Sequence, residues 1–230
     1  IRWPRPDGSF VPAEDFIPVA ERSGLISHLG WLTMEEAARQ VQEWHAQLPG
    51  ATPVVVMVNI PGRLFSEPEL VPSAVKILKK TGLSPEYLHL EITETSAMSD
   101  LEQSLKTLQA LKEVGIHIHV DDFGTGYSSL GSLRHLPIDN LKIDRCFIRD
   151  MVTDSQDAVL LGTIMALGHT LKFDIVAEGV ETMEQMRILQ GLGCDTVQGY
   201  LFSKPVPAGE VPALAARNFL ACEENANPAT

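Results

Sequence analysis

Short apolar runs alternate with amphipathic stretches along this chain, and that alternation leaves few folds open. The runs cover residues 54–60, 88–93, 116–123, 141–144, 174–178 and 196–202. Strand followed by helix, repeated with short connections, implies a parallel sheet that is either doubly wound or closed into a barrel. The strand ends decide between the two. Asn59, Glu91, Asp121 with Asp122, Lys142, Glu178 and Gln198 all fall at or near carboxyl ends of successive runs. A doubly wound sheet spreads such ends along an edge, whereas a barrel gathers them around one mouth, where barrel enzymes keep their active sites. The expected fold is therefore α/β, a TIM-like β/α barrel. Between the strands, Leu101, Leu105, Leu108 and Leu111 recur at helical spacing, as do Val159, Leu160, Ile164 and Leu167, each set predicting one buried stripe. Ser99 and Asp100 suit a helix start, Thr182 with Gln185 resembles a capping box, and Gly115 and Gly193 suit helix exits.

With 230 residues, 44% of them apolar, the chain supports one large core, placed here in residues 1–222, with a polar, frayed tail at 223–230. A formal net charge of -12 disfavours duplex nucleic acid, whose counterions are displaced by a cationic face. A small anion can still bind where metal ions supply positive charge. Cys146, Cys194 and Cys222 are odd in number and widely spaced, which argues against a disulfide framework or a thiolate zinc site and fits a reducing cytoplasm. The apolar run at 54–58 falls far short of the roughly 20 residues a spanning helix needs. Ile1-Arg2-Trp3 reads as mid-strand, so preceding sequence is expected.

The chemistry sits in four segments that join hard oxygen ligands to apolar flanks: Val58-Asn59, Leu90-Glu91-Ile92-Thr93-Glu94, Val120-Asp121-Asp122-Phe123 and Ala177-Glu178-Gly179-Val180-Glu181. Oxygen clusters suit Mg²⁺ or Mn²⁺. Carboxylates crowded at one mouth raise one another's pKa unless cations neutralise them, and two metal ions account for the set economically. Any one of these acids has a second reading as a cap for the following helix, a reading that weakens when all are taken together. Lys142, between Leu141 and Ile143, either snorkels outward or binds the nucleophilic water and a phosphate. His117, His119 and Asp121 alternate on one strand face, a spacing that also suits zinc. The residue after Asp121 is Asp122 rather than a histidine, so the favoured reading places His119 inside the barrel beneath the metals.

The run Asp121-Asp122-Phe123-Gly124-Thr125-Gly126-Tyr127-Ser128-Ser129-Leu130 resembles the loop signature of the EAL-domain family of cyclic di-GMP phosphodiesterases. Phe16-Ile17-Pro18, Ala20-Glu21, Gly24-Leu25-Ile26, Val58-Asn59, Glu91-Ile92-Thr93-Glu94, Leu141-Lys142-Ile143-Asp144, Ala177-Glu178-Gly179-Val180-Glu181 and Gln198-Gly199-Tyr200 follow the same family's order and spacing. The resemblance implies a barrel enzyme that hydrolyses cyclic di-GMP to linear pGpG with two Mg²⁺ or Mn²⁺ ions and a water nucleophile. It assigns Asn59, Glu91, Asp121, Asp122 and Glu178 to metal, Lys142 and Gln198 to the water and phosphate, and Arg2 to the substrate phosphate. Glu94, Asp144 and Glu181 support the loop of Gly124, Thr125, Gly126, Tyr127, Ser128 and Ser129, which in the family links the metal site to a homodimer surface.

Two departures stand out. The family's Glu-Ala-Leu, whose Glu is a metal ligand, would end immediately before Ile1, and the first strand and most of the second would also precede it, leaving a remnant at residues 1–3. Pro61-Gly62 follows Asn59 where the family usually has a serine. The alternative function is a catalytically inactive receptor that binds cyclic di-GMP. The retained positions favour the enzyme, with an upstream sensory or regulatory domain as an expected attachment, in the cytoplasm or on the cytoplasmic side of a membrane-attached protein.

Overall fold

A computed structural model describes residues 1–50, 52–124, 133–153 and 155–216. Thr125 to Ser129 of the signature loop, Cys222 and the 223–230 tail lie outside the described residues. The apolar runs form a six-stranded parallel sheet of β3 (Val56–Asn59), β4 (Leu88–Thr93), β5 (His117–Phe123), β6 (Asn140–Ile143), β7 (Asp174–Glu178) and β8 (Thr196–Gln198). The strands are hydrogen-bonded in strict chain order, β3 to β8. A doubly wound sheet reverses its strand order at a switch point, and this sheet does not. It is the singly wound progression of a β/α barrel, with β3 and β8 as its outer strands among the described residues.

Strand alternation sorts the two faces. Leu88, Leu90, Ile92, Ile118, Val120, Leu141, Ile143, Ile175 and Ala177 are buried in the main apolar core. On the opposite face of the same strands stand His89, Glu91, His117, His119, Asp121, Lys142 and Glu178. The helix Leu101–Val114 starts on the Asp100 side chain, which accepts from Gln103 N at 3.1 Å, and ends at Gly115 in the left-handed region. Thr182 and Gln185 form the expected capping box of helix Met183–Gly191, and Gly193 follows its end with φ +78°. Trp31 and Trp44 pack against the core, with Trp44 Nε1 donating to the Ala208 carbonyl at 3.0 Å.

The structure corrects three expectations. The remnant at residues 1–3 does not join the parallel sheet. Instead β1 (Trp3–Pro4) pairs antiparallel with β2 (Phe10–Val11), because Gly8 at φ +84° and the Asp7 side chain, accepting from Ser9, turn the chain back. The last strand ends at Gln198 rather than at residue 202. Gly199 lies so close to the Val180 backbone that a Cβ would come within 2.0 Å of its carbonyl oxygen, and the chain there folds over, Leu201 N donating to that oxygen. In helix Ser155–Thr170, Val159 and Leu160 are exposed while Leu161, Met165 and Gly168 are buried. Gly168 lets the helix approach Ile175, so the buried stripe is set by contact with β7. Among the described residues, no helix is long and apolar enough to cross a membrane.

Candidate active site

Parallel register brings the carboxyl ends of the strands to one level. Asn59 pairs with Glu91, Thr93 with Asp121, and Glu178 with Gln198. Between β5 and β6 the register slips: Val120 pairs with Leu141 but Phe123 with Ile143, so Asp121 and Asp122 together stand opposite Lys142. This is a bulge, a device that re-aims side chains at barrel rims. Asp122 occupies the left-handed region at φ +56°, and its N–H donates to Asp121 Oδ1 at 3.0 Å. A non-glycine residue held there marks a backbone that its surroundings over-determine.

The Lys142 ammonium is the centre of the arrangement. It lies 2.6 Å from Glu91 Oε1 and 3.1 Å from Asp121 Oδ1, and it pairs with Glu178 Oε1, with only 3% of its side chain exposed. Asn59 Nδ2 donates to the other Glu91 oxygen at 3.0 Å, leaving the Asn59 carbonyl oxygen as a donor atom for a cation. Three strands thus deliver carboxylates to one buried amine, and a fourth carboxylate, Asp122, follows Asp121.

One positive charge does not balance these acids. Burial alone would favour neutral Lys142, but the Glu91 charge and hydrogen bonds to Glu178 and Glu91 outweigh it and hold the amine above its ordinary range. Burial raises Glu91 and Glu178, the negative neighbours add to the shift, and Lys142 offsets it only in part. Asp122 is raised by burial and by the charges of Asp121 and Asp144. As the side chains stand, no group of three His, Cys, Asp or Glu residues among those described is disposed to hold a metal ion. The carboxylate oxygens face Lys142 instead. Donor chemistry nonetheless fits a hard divalent cation: every candidate ligand is an oxygen, the oxygens already converge on one cation, and negative charge is in excess.

Other expected residues fall around this cluster. Glu94, 3% exposed, accepts from Gly124 N at 3.1 Å and so ties the start of the signature loop to helix Glu94–Ser99. Asp144 caps helix Arg145–Arg149 by accepting from Cys146 N at 2.8 Å. Glu181 is exposed, and its backbone N–H, not its carboxylate, enters the Gln185 capping network. Arg2 stands apart from the acids, in a cavity of about 640 Å³ that reaches Asn59. His119, 1% exposed, holds Nε2 at 2.8 Å from His89 Nδ1 while its own Nδ1 has no partner, and burial followed by the neighbouring His89 pulls it down to about 3. Sequence reading missed the bulge, for which two successive acids near a strand end were the only signal, and missed Arg63, which also lines the Asn59 cavity.

The EAL domain model matches residues 1–205. The chain belongs to the EAL domain family. This EAL domain is 42% identical over 220 residues to the bifunctional diguanylate cyclase/cyclic di-GMP phosphodiesterase MucR of Pseudomonas aeruginosa, covering 94% of the chain and 31% of MucR. It is 42% identical over 207 residues to the signaling protein YkoW of Bacillus subtilis, covering 90% of the chain and 26% of YkoW. The chain therefore spans a third or less of these relatives. Among solved structures, the PaMucR phosphodiesterase in complex with c-di-GMP superposes with a TM-score of 0.86 at 42% identity, covering 91% of this EAL domain and 84% of that chain.

Proposed function

We propose that this EAL domain hydrolyses cyclic di-GMP to linear pGpG. The observation that carries the reading is the convergence of Glu91, Asp121 and Glu178 on Lys142 at the carboxyl ends of four parallel strands. The likeness to MucR and to the PaMucR complex supports the substrate. Asn59, Glu91, Asp121, Asp122 and Glu178 would hold Mg²⁺ or Mn²⁺. When bound, such ions neutralise the acids and the phosphate and make water more acidic.

The chain's own residues do the rest. Lys142, kept protonated by its acidic neighbours, orients the water and offsets charge that grows on the phosphoryl oxygens. Gln198, aligned with Glu178 at the end of β8, presents an amide to the same water and phosphate. Arg2 binds phosphate in the adjoining cavity. Water adds to one phosphorus, the bond to the sugar 3′ oxygen breaks, and that oxygen leaves as a hydroxyl after taking a proton. Glu94 holds Gly124 and with it the adjoining Asp121-Asp122 bulge. A homodimer coupled to the site through the signature loop, and a regulatory domain upstream, belong to the same reading.

The test is product analysis of cyclic di-GMP incubated with the protein in Mg²⁺, Mn²⁺ or EDTA. The reading expects pGpG with either metal and none in EDTA. Tight binding with no pGpG under any condition identifies a receptor and rejects the enzyme.

A further inference from the structure

The Pro61-Gly62 departure leads to a residue that the catalytic cluster does not use. Helix Gly62–Phe65 begins directly after Pro61, and Gly62 lies against Ser96, where a Cβ would come within 2.6 Å of Ser96 Oγ. The missing side chain lets this short helix close onto the start of helix Glu94–Ser99, itself continuous with the strand that carries Glu91. Arg63 comes next and lines the 640 Å³ cavity that Asn59 and Arg2 also line. Its guanidinium passes over Gly24, with Nη2 3.6 Å from where a Cβ would stand. No hydrogen bond or ion pair with a described residue engages it, and Glu21 is the one acid lining the cavity. Arg63 is exposed, and an arginine at a cavity wall with no acidic partner is free to take an anion.

We propose that Arg63 is a specificity residue that binds the phosphodiester of the cyclic dinucleotide not undergoing cleavage. The proposal rests on the cyclic di-GMP reading above. Such a ligand carries two phosphodiesters in one ring, so with one held at the Lys142 cluster and Arg2, the other is left to Arg63, the second cation lining the adjoining cavity, which is of a size suited to small ligands. Gly24 leaves room for the guanidinium, and Gly62 lets the short helix that carries Arg63 close onto Ser96.

The experiment compares wild type, Arg63→Ala and Arg63→Lys in Mn²⁺, with cyclic di-GMP and with bis(p-nitrophenyl) phosphate, a diester that has no second phosphate. A charge-assisted contact predicts that Arg63→Ala weakens cyclic di-GMP binding about tenfold or more at low salt, with the gap narrowing at high salt. Turnover at low substrate should fall about tenfold further for cyclic di-GMP than for the small diester, with Arg63→Lys recovering part of the loss. Arg63→Ala binding equal to wild type overturns the proposal and leaves the hydrolase reading standing. Equal losses on both substrates, or a binding gap indifferent to salt, overturn it in favour of a packing role. Wild type that neither binds nor cleaves cyclic di-GMP overturns both readings.

Discussion

A single buried amine shared among three carboxylates makes Lys142 the most consequential side chain here. The role proposed for it, orienting water and offsetting charge, would be exerted during displacement, so Lys142→Ala should cost about a hundredfold or more in single-turnover rate while cyclic di-GMP affinity shifts much less. Near-normal turnover in a folded variant rejects that role. Glu91 gives a second residue-level expectation. Because its folded-state pKa is raised by burial, its contribution to stability is present below the ordinary glutamate range and is lost as pH climbs through the raised value. Glu91→Gln stays neutral throughout. In EDTA its melting temperature relative to wild type should therefore rise with pH across that window, and Mn²⁺ should shrink the difference by stabilising the ionised wild type. A flat difference from acid to neutral pH excludes a raised Glu91.

At the scale of elements, the bulge in β5 and the short helix after β4 act as one unit. The bulge sets Asp122 beside Asp121 opposite Lys142, with Asp122 in the left-handed region, while Glu94 at the first turn of the helix accepts from Gly124 just beyond. Gly124 is constrained from its other side as well, since a Cβ there would meet the Phe147 ring at 2.9 Å. Glu94→Ala should speed amide hydrogen exchange at Gly124, weaken Mn²⁺ binding and lower turnover together, and Glu94→Gln, which keeps an acceptor oxygen, should lose less of each. Loss of turnover with exchange and metal affinity unchanged points instead to a direct catalytic role for Glu94. Unchanged turnover removes it from the site.

Across the whole molecule, the sheet's polar face continues downward from the acids to a layer in which His89 stacks on His117 and bonds His119. His119 is held near pKa 3 against an ordinary 6.5, so folding requires it neutral. Its contribution is full above 6.5 and is lost as pH falls toward 3, by up to about 1.4 kcal/mol per pH unit for one proton. Replacing it with leucine should flatten the acid side of the stability curve measured by denaturant unfolding, and an unchanged slope rules the residue out as a source of acid lability. The sequence by itself determined a good deal of this molecule. Period-two alternation in 88–93 and 116–123 marks two-faced strands, repeated strand–helix order dictates parallel pairing, and a polar residue ending each run points to a shared mouth, all of which are local or topological consequences of side-chain chemistry. The caps at Asp100 and Thr182 were legible for the same reason, since each side chain bonds an amide within three residues. Other features were settled only in three dimensions. Which stripe of helix Ser155–Thr170 is buried depends on contact with Ile175, the turn after Gln198 on the closeness of Val180, and the position of Arg63 on space left by Gly24 and Gly62. The placing of Asp122 beside Asp121 opposite Lys142 depends on a register slip between β5 and β6. These are outcomes of contact between segments far apart in the chain, where packing and register choose among arrangements that local sequence leaves equally open.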